Sequence, residues 1–184
     1  TMTGTWEDSS PYNANSTFAL HPQFIRLPAA AVVEDDEYRT LRSELNALPE
    51  IDYERVNGHK LRLLRRAFER HGTHTAARRD YKDFIAANRH WLIPYAAFCT
   101  LRDETGRPDF TRWGGFARYD RKTVGAYCRS HNRDIAFHCY VQYHLRTQLS
   151  EVCAYARDHG IVLKGDLPIG ISRTSVDAWL YPHL

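Results

Sequence analysis

Val141–Asp166 reads VQYHLRTQLSEVCAYARDHGIVLKGD. Its first half places Val141, Leu145, Leu149, Val152 and Ala156 at spacings of four, four, three and four, an apolar stripe of helical period. With its flanks this predicts the longest helix of the chain, over 133–159, stopped by Gly160. Ile161, Val162 and Leu163 follow without a polar break, as in a strand buried on both faces of a parallel sheet. Lys164-Gly165-Asp166 then turns out of that strand into polar loop chemistry. Helix, glycine turn, buried strand and polar loop form the repeating unit of an α/β barrel or a doubly wound sheet.

Only one such unit is visible. The chain has 184 residues, whereas a complete (β/α)8 barrel takes about 250. The expected class is therefore α/β: a partial (β/α)8 TIM barrel, predominantly helical, with a large all-helical insertion. Residues 1–34 are dense in Ser, Asn, Asp and Pro and read as irregular. Residues 35–132 read as helices. One runs over 37–48, closed by Pro49. Another starts at an Asp52 N-cap, carries Leu61, Leu64 and Phe68 on one face, and ends at Gly72. Two more helical stretches fill 78–106, divided at 90–93 because Pro94 lacks an N–H and clashes with the preceding turn. A loop over 107–120 and a short helix over 121–130 complete this part. Residues 133–184 supply the barrel helix, strand and loop. A start at Thr1 ahead of Met2 suggests a piece of a longer polypeptide.

Composition excludes several classes. Apolar residues make up 43% and charged residues 26%, an ordinary globular balance. With 25 Lys and Arg against 22 Asp and Glu, the net charge of +3 is too small and too interleaved to imply nucleic acid as a partner. No apolar run reaches the ~18 residues of a membrane span. Cys99, Cys128, Cys139 and Cys153 match no metal-ligand or C-x-x-C spacing, and neither do the ten histidines. Neither a metal nor an organic cofactor is expected, and the thiols suit a cytoplasmic protein.

Three places hold candidate chemistry. Asp166 stands at the mouth of the expected strand, the end at which barrel sites form; as a plain alternative it is a turn residue. Tyr12, beside Ser10 in SPYNANSTFALHP (residues 10–22), offers an aromatic face among short polar groups, or simply a packed ring. In SRTSVDAW (172–179), Ser172, Thr174 and Ser175 are capping residues, Asp177 suits an arginine such as Arg173, and Trp179 reads as a core residue rather than a stacking platform.

Four stretches in one order carry a resemblance. SPYNANSTFALHP, NRHWLIPYAAFCTLRDETGRPDF (88–110), VQYHLRTQL (141–149) and KGDLPIGISRTSVDAW (164–179) resemble successive segments of the 4-α-glucanotransferases, or amylomaltases, over residues 6–184. The resemblance implies a retaining barrel enzyme that cleaves an α-1,4 bond and passes the glucan to another chain's 4-OH. It implies substrate binding at Ser10, Tyr12 and Asp166, with α-1,4-glucans such as maltooligosaccharides and starch as partners. It places the catalytic carboxylates on strands beyond this stretch, so that none is expected here. A half-barrel would expose strand edges and self-associate. The other expectation is a free-standing helical module that binds carbohydrate or protein.

Overall fold

The computed structural model describes residues 2–3, 13–165 and 170–183, and helices dominate it. α1 (Asp36–Asn46) and α2 (Tyr53–Ala77) each begin where an aspartate accepts a backbone N–H of the first turn: Asp35 from Tyr38 at 2.9 Å and Asp52 from Arg55 at 2.9 Å. α3 (Arg79–Thr105) follows α2 after the single extended residue Arg78. It ends at Gly106, whose φ of 63° is costly for a residue with a Cβ. α4 (Arg121–Ser130) is capped by Asp120 and has the expected bounds. α5 (Asn132–Asp158) is the expected long helix, and Gly160 at φ 70° turns the chain out of it. The short α6 (Val176–Leu180) is capped by Ser175. Residues 107–120 form two 3-10 turns, and two more lie at Pro22–Phe24 and Pro28–Ala30.

α3 packs along α5 as the central pair, and two apolar cores lie against that pair. One gathers Leu92, Phe98, Trp113 and Trp179 with Ile135 and Ala19. The other gathers Ile25, Val32, Leu64, Phe137, Tyr140 and Leu145. Both draw on all three stretches of the chain.

Three expectations are corrected, and a fourth is met only in part. α2 continues five residues past Gly72, which is buried inside the helix; packing on α5 outweighs the helical cost of a glycine, about 1 kcal/mol. α3 runs unbroken through Pro94. Every residue from Pro94 to Leu101 is buried, and that packing offsets the hydrogen bond the proline removes. Leu61 on α2 is exposed, while Leu63, Leu64 and Ala67 face the core. The fourth concerns the barrel. Ile161–Gly165 form no strand, and Val162 is 90% exposed. A buried strand needs a neighbour to take its N–H and C=O groups. Among the described residues no strand lies beside this segment, so the barrel expected of the fold class is not shown there. The β structure described is an antiparallel pairing of β1 (Met2–Thr3) with β2 (Ala14–Ser16), plus one parallel bridge between Ala14 and Ile171.

The same absence shows on α5. Val141, Leu145 and Ala156 of its stripe are buried, but Leu149 and Val152 are exposed, as is Tyr155. The last turns of α5, Ile161–Leu163 and Ile171 are thus rich in uncovered apolar side chains.

Candidate functional site

Asn13–Ala19 and Gly170–Leu180, the described parts of the two loop segments singled out at the ends of the sequence, lie against each other. Ser172 N–H donates to the Ala14 carbonyl at 3.0 Å, and Ala14 and Ile171 pair in parallel. Beyond that bridge, Thr17 is held twice by Asp177: its N–H donates to Oδ2 at 3.0 Å and its hydroxyl to Oδ1 at 2.9 Å. Asp177 therefore binds Thr17, and not Arg173 as its sequence neighbourhood suggests. Ser16 Oγ turns the first segment by accepting from Phe18 N–H and Ala19 N–H at 3.2 and 3.0 Å. Ser175, fully buried, turns the second by capping α6 at 3.0 Å.

Two supports hold this seam. Trp179, 1% exposed, packs with Phe98, Trp113 and Tyr119 and donates its indole N–H to the Phe116 carbonyl at 2.8 Å, so it is the core residue expected. On the other side α5 clamps the N-terminal segment by two glutamines. Gln142 Oε1 accepts from Leu20 N–H and Nε2 donates to Leu20 C=O, each at 2.9 Å. Gln148 does the same to Arg26, at 2.8 and 3.1 Å. Between these clamps Lys60 donates to the carbonyls of Gln23 and Ile25. Burial lowers the Lys60 pKa and pushes His21 down to about 4.

Phe18, 56% exposed, projects from the seam with its ring parallel to that of Trp91, 5.8 Å between centroids and 14° between planes. The Trp91 indole N–H is fixed by Asn88 Oδ1 at 3.0 Å. The exposed Phe18 ring, held on the half-buried Trp91, suits a ligand with an apolar face and polar edges. Sequence reading passed over Phe18 and Trp91; each lies inside a quoted segment, but 73 positions apart nothing marks them as partners.

Ser10, Tyr12 and Asp166 lie outside the described residues. Asn13 and Gly165, their chain neighbours, bracket what the structure describes at each segment. No group of three or more His, Cys, Asp or Glu side chains among the described residues is placed to hold a metal ion. No helix there is long and apolar enough to cross a membrane.

Known proteins match this arrangement. A family profile described as 4-alpha-glucanotransferase matches residues 1–184. The chain is 41% identical to 4-alpha-glucanotransferase DPE2 of Oryza sativa subsp. japonica, over 98% of its own length and 20% of that protein's. It is 29% identical to a 4-alpha-glucanotransferase of Chlamydia pneumoniae, over 98% of its length and 35% of the relative's. Among solved structures, an amylomaltase from Streptococcus agalactiae in complex with acarbose superposes with a TM-score of 0.86 at 26% identity, covering 100% of this chain and 37% of that one. The chain thus spans a fifth to somewhat over a third of the proteins it resembles.

Proposed function

The chain belongs to the 4-alpha-glucanotransferase family, and from that premise we propose that it forms one wall of the glucan cleft in a retaining enzyme that moves α-1,4-glucan segments between maltodextrin or starch chains. The observation that carries the reading is the seam: the segment after Tyr12 and the segment after Asp166 are bound together at Ala14–Ser172 and Thr17–Asp177. Acarbose, a maltooligosaccharide analogue, in the superposing amylomaltase supports a glucan as ligand. Ser10, Tyr12 and Asp166 bind sugar hydroxyls, and the Phe18–Trp91 pair stacks on a pyranose face.

In a retaining mechanism one carboxylate attacks the anomeric carbon while a second, about 5–5.5 Å away, protonates the leaving oxygen. A glucan 4-OH then replaces the enzyme carboxylate, and its proton returns to the second group. The family's nucleophile segment, of the form R-x-D-H, does not occur in residues 1–184. The catalytic acids therefore come from barrel strands that also cover Ile161–Leu163, and the parent enzyme works in the cytoplasm. The test is incubation with maltotriose. The 184-residue chain alone is expected to release no glucose and no longer dextrins, while a polypeptide of the relatives' length that contains it releases both. Turnover by the chain alone overturns the assignment of the carboxylates elsewhere; silence from both overturns the activity.

A further inference from the structure

α3, α4 and α5 leave an open groove of about 1130 Å3 between them. α3 lines it from Tyr81 to Pro94, about 20 Å of helix. Its floor is apolar: Ile85 and Ile93 from α3, Val124 from α4, Ile135 and Cys139 from α5. The lining positions recur at helical spacing, Arg121, Val124 and Cys128 on one helix and Asn132, Ile135 and Cys139 on another. Three helical stripes around an apolar floor are a surface that can receive a fourth helix.

The rim fixes the sign of what fits. Arg89, Arg121 and Arg129 line the groove, are exposed, and no Asp or Glu lines it with them. Elsewhere Arg39, Arg55, Arg62, Arg65, Arg66, Arg78, Arg79 and Arg102 each sit within ion-pair distance of a carboxylate, while others, such as Arg42, Arg118 and Arg146, have none among the described residues. The three rim arginines form no such pair among the described residues. We propose that this groove is the docking site of an acidic amphipathic helix from a partner protein, its apolar stripe on the floor and its carboxylates on the three arginines. The proposal uses none of the seam residues and stands apart from the glucan reading.

Two labelled peptides of about four turns test it. They share one apolar stripe at i, i+3, i+4 and i+7; one carries flanking Glu and the other flanking Lys. Anisotropy titration against the 184-residue chain is expected to show the Glu peptide binding at least about tenfold more tightly, a preference that shrinks as salt is raised. The R89E/R121E/R129E chain should reverse that preference. Gly125→Trp should abolish binding of both peptides. Gly125 lines the groove, and a Cβ there meets only Arg129 Nη1, at 3.8 Å; circular dichroism verifies that each variant is folded. Equal affinity for the two peptides, binding that survives Gly125→Trp, or displacement of the peptide by maltoheptaose overturns the proposal. So does loss of binding when the chain is carried in a polypeptide of the relatives' length, which would show the groove filled from within.

Discussion

Gln142 is 2% exposed, and its amide closes a two-point bond with the backbone of Leu20. Gln142→Leu fills the space but strands the half-buried N–H and C=O of Leu20. Each costs ~1–3 kcal/mol, so a loss of ~2–4 kcal/mol in urea unfolding is expected. The equivalent Gln148→Leu, on the exposed Arg26 clamp, should cost under ~1 kcal/mol because water replaces the amide. Equal losses at the two sites would refute this ranking. His138 gives a second prediction. It is buried between Tyr95 and Phe137, and its Nε2 makes no hydrogen bond among the described residues. Burial first, then Arg102 and Arg65, hold its pKa down at about 3, although Asp103 Oδ2 lies 3.6 Å away. The folded chain keeps it neutral while the unfolded chain protonates below about 6.5. Its stabilising effect is therefore full above that pH and is lost as pH falls toward 3. Between pH 6 and 4, His138→Leu should flatten the stability slope by ~1.4 kcal/mol per pH unit; an unchanged slope refutes it. In the parent enzyme, Asp166→Asn and Tyr12→Ala should each lower kcat/KM for short maltodextrins about tenfold or more, and unchanged values in both would remove them from the site. Tyr12 and Asp166 were singled out because short polar segments around an acid or a ring stand out in sequence, and both lie outside the described residues. The clamps were not, since a glutamine on a helix reads as solvated until the backbone it serves is in place.

Helix starts were read most surely where an aspartate precedes the first turn, as at Asp52, because that signal is local. Helix ends inside packed regions were not. Pro94 and Gly72 break helices by intrinsic preference, and both sit mid-helix because long-range burial is larger. At Gly72 the fit is tight. A Cβ there meets the Phe68 ring at 2.6 Å, and that ring is held edge-on against Phe137 and Tyr140. Gly72→Ala would add up to ~1 kcal/mol of helix propensity on an open surface. Here overpacking should dominate and lower stability by ~1–3 kcal/mol. A raised melting temperature would show that Phe68 can swing away. The segment Ile161–Leu163 failed in the opposite direction. Its composition suits a strand, but a strand is a property of two partners, and only one lies among the described residues.

Across the whole molecule, the helical body is closed by its two cores, and the end of α5 with the residues after it leaves Leu149, Val152, Tyr155, Ile161, Val162 and Leu163 uncovered. The 184-residue chain is expected to self-associate through that face, with an apparent mass in sedimentation that rises with concentration. The V162D/Y155K double substitution should return it to a monomer. A monomer at all concentrations, with a sharp two-state melt, would instead favour a free-standing carbohydrate- or protein-binding module. The expected strand and the seam stand differently in the sequence for the same reason: a strand at Ile161–Leu163 needs a partner that is not among the described residues, whereas the seam pairs two segments that are. The glutamine clamps carry one more message, about time. Leu20–Gln142 and Arg26–Gln148 are each separated by 122 residues. At 5–20 residues per second on the ribosome, the segment around Leu20 waits about 6–24 s before the helix that holds it has been made. During that interval the Leu20 and Arg26 backbone groups lack their glutamine partners, so both clamps close only after α5 has been made.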